Sequence, residues 1–123
     1  VVVFGCGGER DQGKRQLMGA TVAELADVAV LTSDNPRRED PLAILAQVEK
    51  GLLATPGFDY EVIEDRRAAI RRAVDLATTG GAVLIAGKGH ETTQTVGDER
   101  RPFVDREEAR RAIEERFGTA KHQ

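Results

Sequence analysis

The feature that most constrains the fold of this chain is a regular alternation of short apolar runs with segments of helical periodicity. Four runs rich in β-branched and other apolar residues are predicted to be strands: Val1–Gly5, Val28–Thr32, Tyr60–Ile63 and Ala82–Ala86. The segments between them repeat mainly apolar residues at the helical spacing of three or four. This alternation predicts a Rossmann-like α/β fold, with a mostly parallel sheet and helices on both faces.

The inner faces of the first three helices are predicted from three stripes of residues. The stripes are Leu17, Thr21 and Leu25; then Leu42, Leu45, Val48 and Leu52; then Ile70, Ala73, Val74 and Ala77. Asp40 followed by Pro41 is expected to begin the second helix. A carboxylate that caps the free amides and a proline at the first helical position are both typical of a helix start.

The end of the chain has a different pattern from the rest. The stretches TTQTVG and RRPFVD flank Gly97–Asp98–Glu99 and predict a β-hairpin. The segment REEARRAIEERF follows and predicts a last helix with Ala109, Ile113 and Phe117 on one side. The tail GTAKHQ is expected to fray. The complete fold prediction is therefore a Rossmann-like sheet with flanking helices and a C-terminal β-hairpin plus helix.

Size and composition narrow the class of protein. The 123 residues are 40% hydrophobic and 32% charged, as expected for one globular domain, and the net charge of −3 gives no sign of nucleic-acid or membrane binding. Cys6 is the only cysteine, so no disulfide forms within the chain, which suits the cytoplasm. The sequence begins with Val1 and no Met. We expect residues 1–123 to be a single domain of a longer protein.

Three loops with unusual content follow predicted strands: GCGGERDQGKR, TSDNPRRED and AGKGHETTQ. In an open parallel sheet, ligands bind at the carboxyl ends of the strands. All three loops are therefore expected to meet at one edge of the sheet.

The first loop resembles a phosphate-binding P-loop in its strand–glycine–helix layout and in the spacing of Gly8, Gly13 and Lys14. A P-loop continues with Ser or Thr to hold Mg²⁺, whereas this sequence has Arg15. Glu9 and Asp11 would also repel a triphosphate. The glycines can also be explained without a ligand, because a glycine after a strand often permits only a tight turn and close packing of the next helix. Arg10 is the better candidate for ligand binding, because a guanidinium holds a carboxylate through two hydrogen bonds.

The second and third loops supply further candidate residues. The DNPR loop has two possible explanations. Asp and Asn often stabilise turns, so the loop could be purely structural, or Pro36 could stiffen it so that it holds a ligand. If the loop binds a ligand, Asn35 and Arg37 would clamp a carboxylate. In GKGHE, Gly87 permits close approach of the backbone and Glu91 would accept an ammonium.

Other residues of the third loop have weaker support. His90 could touch a phosphate, but a lone histidine is more often structural, and Lys88 has an equally simple explanation as a solvated charge. The spacing of His and Cys predicts no metal site. The combined edge would suit a ligand that has two carboxylates and an ammonium.

These three loops, in this order, resemble the C-terminal domain of the Mur ligases, in the branch that adds diaminopimelate. The resemblance runs from VFGCGGERDQGKR through LTSDNPRREDP and AGKGHETTQ to the final helix. It implies that Arg10 binds the carboxylate at the reacting end of meso-2,6-diaminopimelate, and that Asn35 and Arg37 bind the far carboxylate. It also implies that Gly87 and Glu91 hold the far ammonium.

The rest of the motif and the choice of amino acid follow from the same resemblance. Asp34 and Pro36 complete DNPR. Lysine lacks the far carboxylate and would leave Arg37 without its partner, and lysine-adding relatives usually differ at this arginine. The resemblance therefore implies diaminopimelate rather than lysine.

The activity implied is ATP-dependent amide formation through an acyl phosphate, with UDP-N-acetylmuramoyl-L-alanyl-D-glutamate as acceptor, in peptidoglycan synthesis. ATP and Mg²⁺ would bind mainly to a central domain and the UDP-sugar to an N-terminal domain, neither of which is in this sequence. We expect no catalytic residue in this chain, no activity from it alone, and a cytoplasmic monomer that would close over the central domain.

Two alternatives come from other functional classes. One is a standalone Rossmann-type domain that binds a nucleotide through its first loop. The other is an amino-acid-binding module that never ligates. Arg15 and the acidic residues of the first loop count against the nucleotide-binding alternative, and the residues upstream of Val1 would test the binding module.

Overall fold

The computed structural model describes residues 1–8, 13–77, 81–87 and 91–117. Within these ranges a four-stranded parallel sheet forms the centre of the molecule. Its strands are β1 (Val2–Phe4), β2 (Val28–Leu31), β3 (Asp59–Val62) and β4 (Leu84–Ile85). The strand order is β3-β2-β1-β4, with Val3 opposite Val30 on one side and Ile85 on the other. The prediction of a parallel sheet is confirmed.

Four helices and a hairpin complete the described fold. The helices are α1 (Gly13–Leu25), α2 (Pro41–Leu52), α3 (Arg66–Leu76) and α4 (Asp105–Phe117), and the antiparallel hairpin is formed by β5 (Thr93–Val96) and β6 (Glu99–Pro102). Helices α1 and α2 pack together, as do α3 and α4. None of the helices among the described residues is long and apolar enough to cross a membrane.

Each face of the sheet has its own hydrophobic core, as the alternation predicts. One core joins Val3 and Val30 to apolar residues of α3 and α4, including Ile70 and Ala112. The other core lies against α1 and α2 and contains Phe4, Ala23, Ala29, Leu31, Leu45, Val48 and Leu52. Because the central strands are covered on both sides, they are apolar almost throughout, as parallel strands usually are.

The second helix begins where the sequence predicts. Asp40 has an extended backbone, and its Oδ1 accepts a hydrogen bond from the amide of Leu42 at 3.0 Å. Pro41 occupies the first helical position, where no hydrogen-bond partner for a backbone amide is needed. Leu45, Val48 and Leu52 are buried as predicted, but Leu42 is 61% exposed because it lies in the first turn, outside the inner face.

The stripe predicted for α1 is wrong. Leu17 and Leu25 are 67% and 82% exposed, and the buried residues of this helix are Arg15, Gly19 and Ala23. The reason is a close approach between α1 and α2. A Cβ on Gly19 would lie 3.0 Å from the amide nitrogen of Leu52, so the helices meet through a face of small residues rather than through leucines.

The last helix is present, but the side of α4 that carries Ala109, Ile113 and Phe117 is not its most buried face. Ile113 and Phe117 are 49% and 67% exposed, and Ala109 is only partly buried. Asp105 and Glu108 lie inside instead, because they form ion pairs with Arg66 and Arg67 at the start of α3. In α3, by contrast, Ile70, Ala73 and Val74 are buried as predicted, whereas Ala77 is partly exposed and ends the helix.

The predicted hairpin is present, with a tighter turn than the three residues Gly97–Asp98–Glu99. Val96 pairs with Glu99, so Glu99 belongs to β6 and the loop has two residues. Gly97 has a φ of 61°. A glycine at the first position of a two-residue loop is typical of hairpin turns that match the twist of the strands.

We expect the substitution Gly51→Ala to destabilise the chain by about 1–3 kcal/mol, the usual cost of overpacking. A Cβ at this position would overlap the backbone oxygen of Gln16 and lie 2.6 Å from the amide nitrogen of Ala20. Urea unfolding of the chain measures this loss. Lys50→Ala, at an exposed neighbouring position of the same helix, is the control and should change stability by less than about 0.5 kcal/mol. Equal stability of the two variants would contradict this account of the α1–α2 contact.

Candidate functional site

A cavity of about 560 Å³ opens at the carboxyl ends of β1, β2 and β4. The strand order reverses between β1 and β4, and α/β proteins bind ligands at such a reversal. The cavity is lined by Gly5, Cys6, Gly7, Lys14, Arg15, Met18, Asp34, Asn35, Arg37, Gly87 and Glu91. The prediction that the three loops meet at one edge therefore agrees with the structure over the described residues.

Two short segments form much of the cavity wall. The glycine loop is residues 5–8, which follow β1. The DNPR segment is Asp34–Arg37, which follows β2. A Cβ on Gly8 would overlap the carbonyl oxygen of Pro36, and the amide of Gly8 donates to the carbonyl of Asn35 at 2.6 Å. The two segments are thus in direct backbone contact.

The hairpin holds the other side of the DNPR segment. The amide of Thr95 donates to Oδ1 of Asn35 at 2.9 Å, and its carbonyl accepts from the amide of Arg37 at 3.0 Å. Nε2 of Gln94 donates to the carbonyl of Asp34 at 2.8 Å. The amide of Gly97 donates to the carbonyl of Arg37. Arg37 and Val96 therefore form an isolated parallel β-bridge that joins the DNPR segment to the hairpin.

Asn35 and Glu91 are brought together although 56 residues separate them. Nδ2 of Asn35 donates to Oε2 of Glu91 at 3.2 Å. Asn35 is only 5% exposed, whereas Glu91 is exposed at the mouth of the cavity. One buried amide thus joins the second loop to the third, and a carboxylate faces the space between them.

Arg37 has a backbone conformation that is unusual for arginine. Its φ is 54°, in the left-handed region that few residues other than glycine adopt. The backbone contacts with Thr95 and Gly97 hold it there. Its Nη1 donates to the carbonyls of Gly8 at 2.8 Å and Asn35 at 3.3 Å. The guanidinium therefore lies between the glycine loop and its own segment, at the cavity wall.

Gly87 needs to be glycine at its position. Its φ is 122°, and a Cβ would lie 3.4 Å from Oδ2 of Asp34. Asp34 and Gly87 are therefore direct neighbours in the cavity wall. Pro36, in contrast, is fully buried and does not line the cavity; its backbone packs against Gly8. Three other candidates, Arg10, Lys88 and His90, lie outside the described residues.

Arg15 lines the cavity and makes contacts that the sequence did not reveal. It is 1% exposed, and its Nη1 and Nη2 donate to the two carboxylate oxygens of Glu39 at 2.6 Å and 2.9 Å. This hydrogen bonding raises the pKa of the Arg15 guanidinium above its ordinary value. The residue that stands where a P-loop needs a hydroxyl is thus turned toward a carboxylate. In the sequence, the one sign of the Arg15–Glu39 pair is that an acidic residue, Glu39, follows the DNPR motif closely.

Cys6 lies at the floor of the cavity, with its Sγ 3.4 Å from Sδ of Met18. Burial is the main reason that the pKa of its thiol is raised. The positive charge of Arg15 opposes this effect, and the negative charge of Asp34 adds to it. Cys6 is therefore a protonated, partly buried thiol at neutral pH.

Comparison with known proteins gives a consistent family assignment. The family model described as "Mur ligase, glutamate ligase domain" matches residues 1–89. Over 95% of its length the chain is 55% identical to a UDP-N-acetylmuramoyl-L-alanyl-D-glutamate--2,6-diaminopimelate ligase of Alkalilimnicola ehrlichii. It is 54% identical to the ligase of the same name from Streptomyces coelicolor over 94% of its length. The chain spans 23% and 24% of these two relatives, about a quarter of their length.

A solved structure of a ligase with this same name agrees in fold. It superposes with a TM-score of 0.89 at 45% identity, over 96% of this chain and 24% of that one. Fold and site together define a Rossmann-like domain with a crevice at the carboxyl edge of its sheet. The chain belongs to the Mur ligase family, whose members are ATP-dependent ligases.

We expect Cys6 to be alkylated more slowly than a cysteine in a short peptide at pH 8. The thiolate is the nucleophile, and a raised pKa lowers the thiolate fraction at any given pH. Iodoacetamide labelling followed by mass spectrometry at several pH values measures the rate. The pH of half-maximal rate should lie above that of the peptide, which has a thiol pKa of about 8.5. A midpoint at or below the peptide value would contradict the assigned environment.

Proposed function

We propose that this chain is the amino-acid-binding domain of a ligase that adds meso-2,6-diaminopimelate to UDP-N-acetylmuramoyl-L-alanyl-D-glutamate. The observation that carries the proposal is the convergence of Asn35, Arg37 and Glu91, from two distant loops, on one cavity at the strand-order reversal. The names of the similar proteins support the same substrate. Peptidoglycan synthesis in the cytoplasm is the pathway and place that this substrate implies.

The charges of the cavity suit the far end of diaminopimelate. That end carries a carboxylate and an ammonium on one carbon. Arg37 and Asn35 would bind the carboxylate, and Glu91 together with the carbonyl of Gly87 would bind the ammonium. In the structure Glu91 is exposed and accepts a hydrogen bond from the neutral side-chain amide of Asn35. If the ammonium of the ligand replaced the Asn35 amide as the donor to Glu91, the new hydrogen bond would be charge-assisted and stronger. This exchange would favour ligand binding.

The roles proposed for Asp34, Pro36 and Arg10 differ in kind. Asp34 lines the cavity beside Gly87, and the buried Pro36 fixes the shape of the segment. Arg10, which lies outside the described residues, is proposed to bind the carboxylate at the reacting end. This division leaves the far end of the amino acid to the described residues.

The reaction we propose forms one amide bond. The D-glutamyl carboxylate takes the terminal phosphoryl group of ATP, and ADP leaves. The amine of diaminopimelate then attacks the acyl carbon and loses a proton, and phosphate departs. The part of this chain is to bind and orient the amine donor. Holding both reactants in position lowers the entropic barrier of the bimolecular attack.

We place ATP and Mg²⁺ mainly on other segments of the ligase. The P-loop-like layout of this chain does not supply a phosphate cradle, because the position of the Mg²⁺-binding hydroxyl is taken by Arg15, whose guanidinium binds Glu39. For the same reason a standalone nucleotide-binding domain is not favoured. We also propose that the ligase is a monomer and that this chain alone is catalytically inactive. Whether Lys88 or His90 contacts ATP is left open by the sequence.

We expect the parent ligase to release phosphate from ATP when given Mg²⁺, UDP-N-acetylmuramoyl-L-alanyl-D-glutamate and meso-diaminopimelate. With L-lysine at the same concentration, release should be at least about tenfold slower, because lysine leaves charged groups of the site unpaired. A malachite-green assay measures the release. Equal rates with lysine would remove the specificity proposal, and no release with either amino acid would favour the non-catalytic binding module.

We expect Arg37→Ala in the parent ligase to raise the KM for meso-diaminopimelate by about 10- to 100-fold, as loss of a charge-assisted contact would. Arg38→Ala is the matched control. Arg38 is the neighbouring arginine, but its side chain is 73% exposed and pairs with Asp98 on the hairpin. The control should keep its KM within about twofold. Similar KM values for both variants would remove Arg37 from the site.

A further inference from the structure

A buried ion pair links the two segments that form most of the cavity wall. Arg15 lies in the first turn of α1, just after the glycine loop in the chain, and Glu39 lies two residues after the DNPR segment. Both carboxylate oxygens of Glu39 bind the guanidinium. The side chains are 1% and 23% exposed, so water screens this pair far less than a surface pair.

The same guanidinium also binds the glycine loop itself. Nη2 of Arg15 donates to the carbonyl of Gly7 at 3.0 Å, and Nη1 donates to Oε1 of Gln47 on α2 at 3.0 Å. The amide of Glu39 donates to the carbonyl of Pro36 at 3.0 Å. Arg15 is therefore anchored at once to the glycine loop, to α2 and to the residue that closes the turn of the DNPR segment.

These contacts form a closed ring with those made by Arg37. Nη1 of Arg37 donates to the carbonyl of Gly8, and the amide of Gly8 donates to Asn35. Arg15 closes the ring, because its guanidinium donates both to the carbonyl of Gly7 and to the carboxylate of Glu39. A shift of the glycine loop away from the DNPR segment would thus break contacts of both arginines. The separation of the two walls is set by the ring as a whole.

Resting on the proposed function, we propose that Arg15 and Glu39 are a positioning pair that sets the affinity of the cavity for the amino-acid substrate. Arg15 does not bind the ligand in this proposal, because its guanidinium is already held by Glu39, Gly7 and Gln47. It acts through the placement of Arg37 and Asn35. Lysine would not replace it, because one ammonium lacks the planar fork that reaches both oxygens of Glu39.

The test compares Arg15→Lys, Glu39→Gln and the double variant in the full-length ligase. We expect each single variant to raise the KM for meso-diaminopimelate by about tenfold, with kcat and the KM values for ATP and the UDP-precursor within about twofold. The double variant should be no worse than the more affected single variant, because the two residues act as one pair. Phosphate release gives the kinetic constants, and thermal unfolding is followed in parallel.

Glu108→Gln is the control for a purely structural effect. The Glu108 side chain is 5% exposed and pairs with Arg67 at 2.9 Å, but on the α3–α4 side and not at the cavity. Glu108→Gln should lower the unfolding temperature without raising the KM for meso-diaminopimelate. The same behaviour from Arg15→Lys and Glu39→Gln would overturn the inference. If Arg15→Lys does not fold, Glu39→Gln alone decides the question in the same way.

The outcomes separate this inference from the function on which it rests. A wild-type ligase that shows no diaminopimelate-dependent phosphate release overturns the proposed function, and the inference with it. An active wild type with unchanged KM values in the variants overturns the positioning pair only. A selective rise in KM supports both.

Discussion

The buried ion pair between Arg66 and Asp105 is the interaction on which the arrangement of the domain most depends. Nε and Nη2 of Arg66 donate to the two carboxylate oxygens of Asp105 at 2.8 Å and 2.7 Å. The guanidinium also donates to the carbonyls of Ser33 after β2 and Ala86 after β4. Removal of one partner from such a buried pair costs about 3–5 kcal/mol. One guanidinium thus fixes the starts of α3 and α4 against the ends of two strands.

This arrangement connects the core to the candidate site. Ser33 and Ala86 directly precede Asp34 and Gly87, which are direct neighbours in the cavity wall. Arg66 therefore fixes the two chain segments that carry Asp34 and Gly87, and Arg15 holds the glycine loop. Each of the two buried arginines lies in the first turn of a helix that follows a strand. Each binds a carboxylate, and Arg15 also binds one backbone carbonyl and Arg66 two. The site is shaped by groups that the hydrophobic core alone would not position.

The sequence predicted the parts of the fold that depend on hydrophobic periodicity. The strands β1 and β2 and the inner faces of α2 and α3 are apolar because they contact the two cores. The same method failed for α1 and α4, for a physical reason. Gly19 lies inside because two helix backbones approach closely, and Asp105 lies inside because Arg66 neutralises it. The spacing of apolar residues in a sequence does not show how closely two helices pack. It also does not show which buried charge has an oppositely charged partner.

The candidate site was also predictable only in part: its position followed from the sequence, but the contacts between its residues did not. Parallel topology alone requires the three loops to meet, whereas the contact of Asn35 with Glu91 depends on the path of the hairpin. The resemblance of the first loop to a P-loop also has a structural explanation. A Cβ on Gly5 would overlap the carbonyl oxygen of Thr32, so glycine is needed there to let two loops pack. A strand–glycine–helix turn serves such packing as well as it serves phosphate binding.

The contacts of Arg37 bear on how strongly the proposed site would reject lysine. A site loses most affinity for an incomplete ligand when a buried charged group is left wholly unsatisfied. Here Nη1 of Arg37 already donates to the carbonyls of Gly8 and Asn35, and the side chain is only partly buried. Lysine would therefore leave the guanidinium partly satisfied. Under the proposed function, rejection of lysine depends on Asn35, Arg37 and Glu91 acting together, held by the hairpin and the glycine loop.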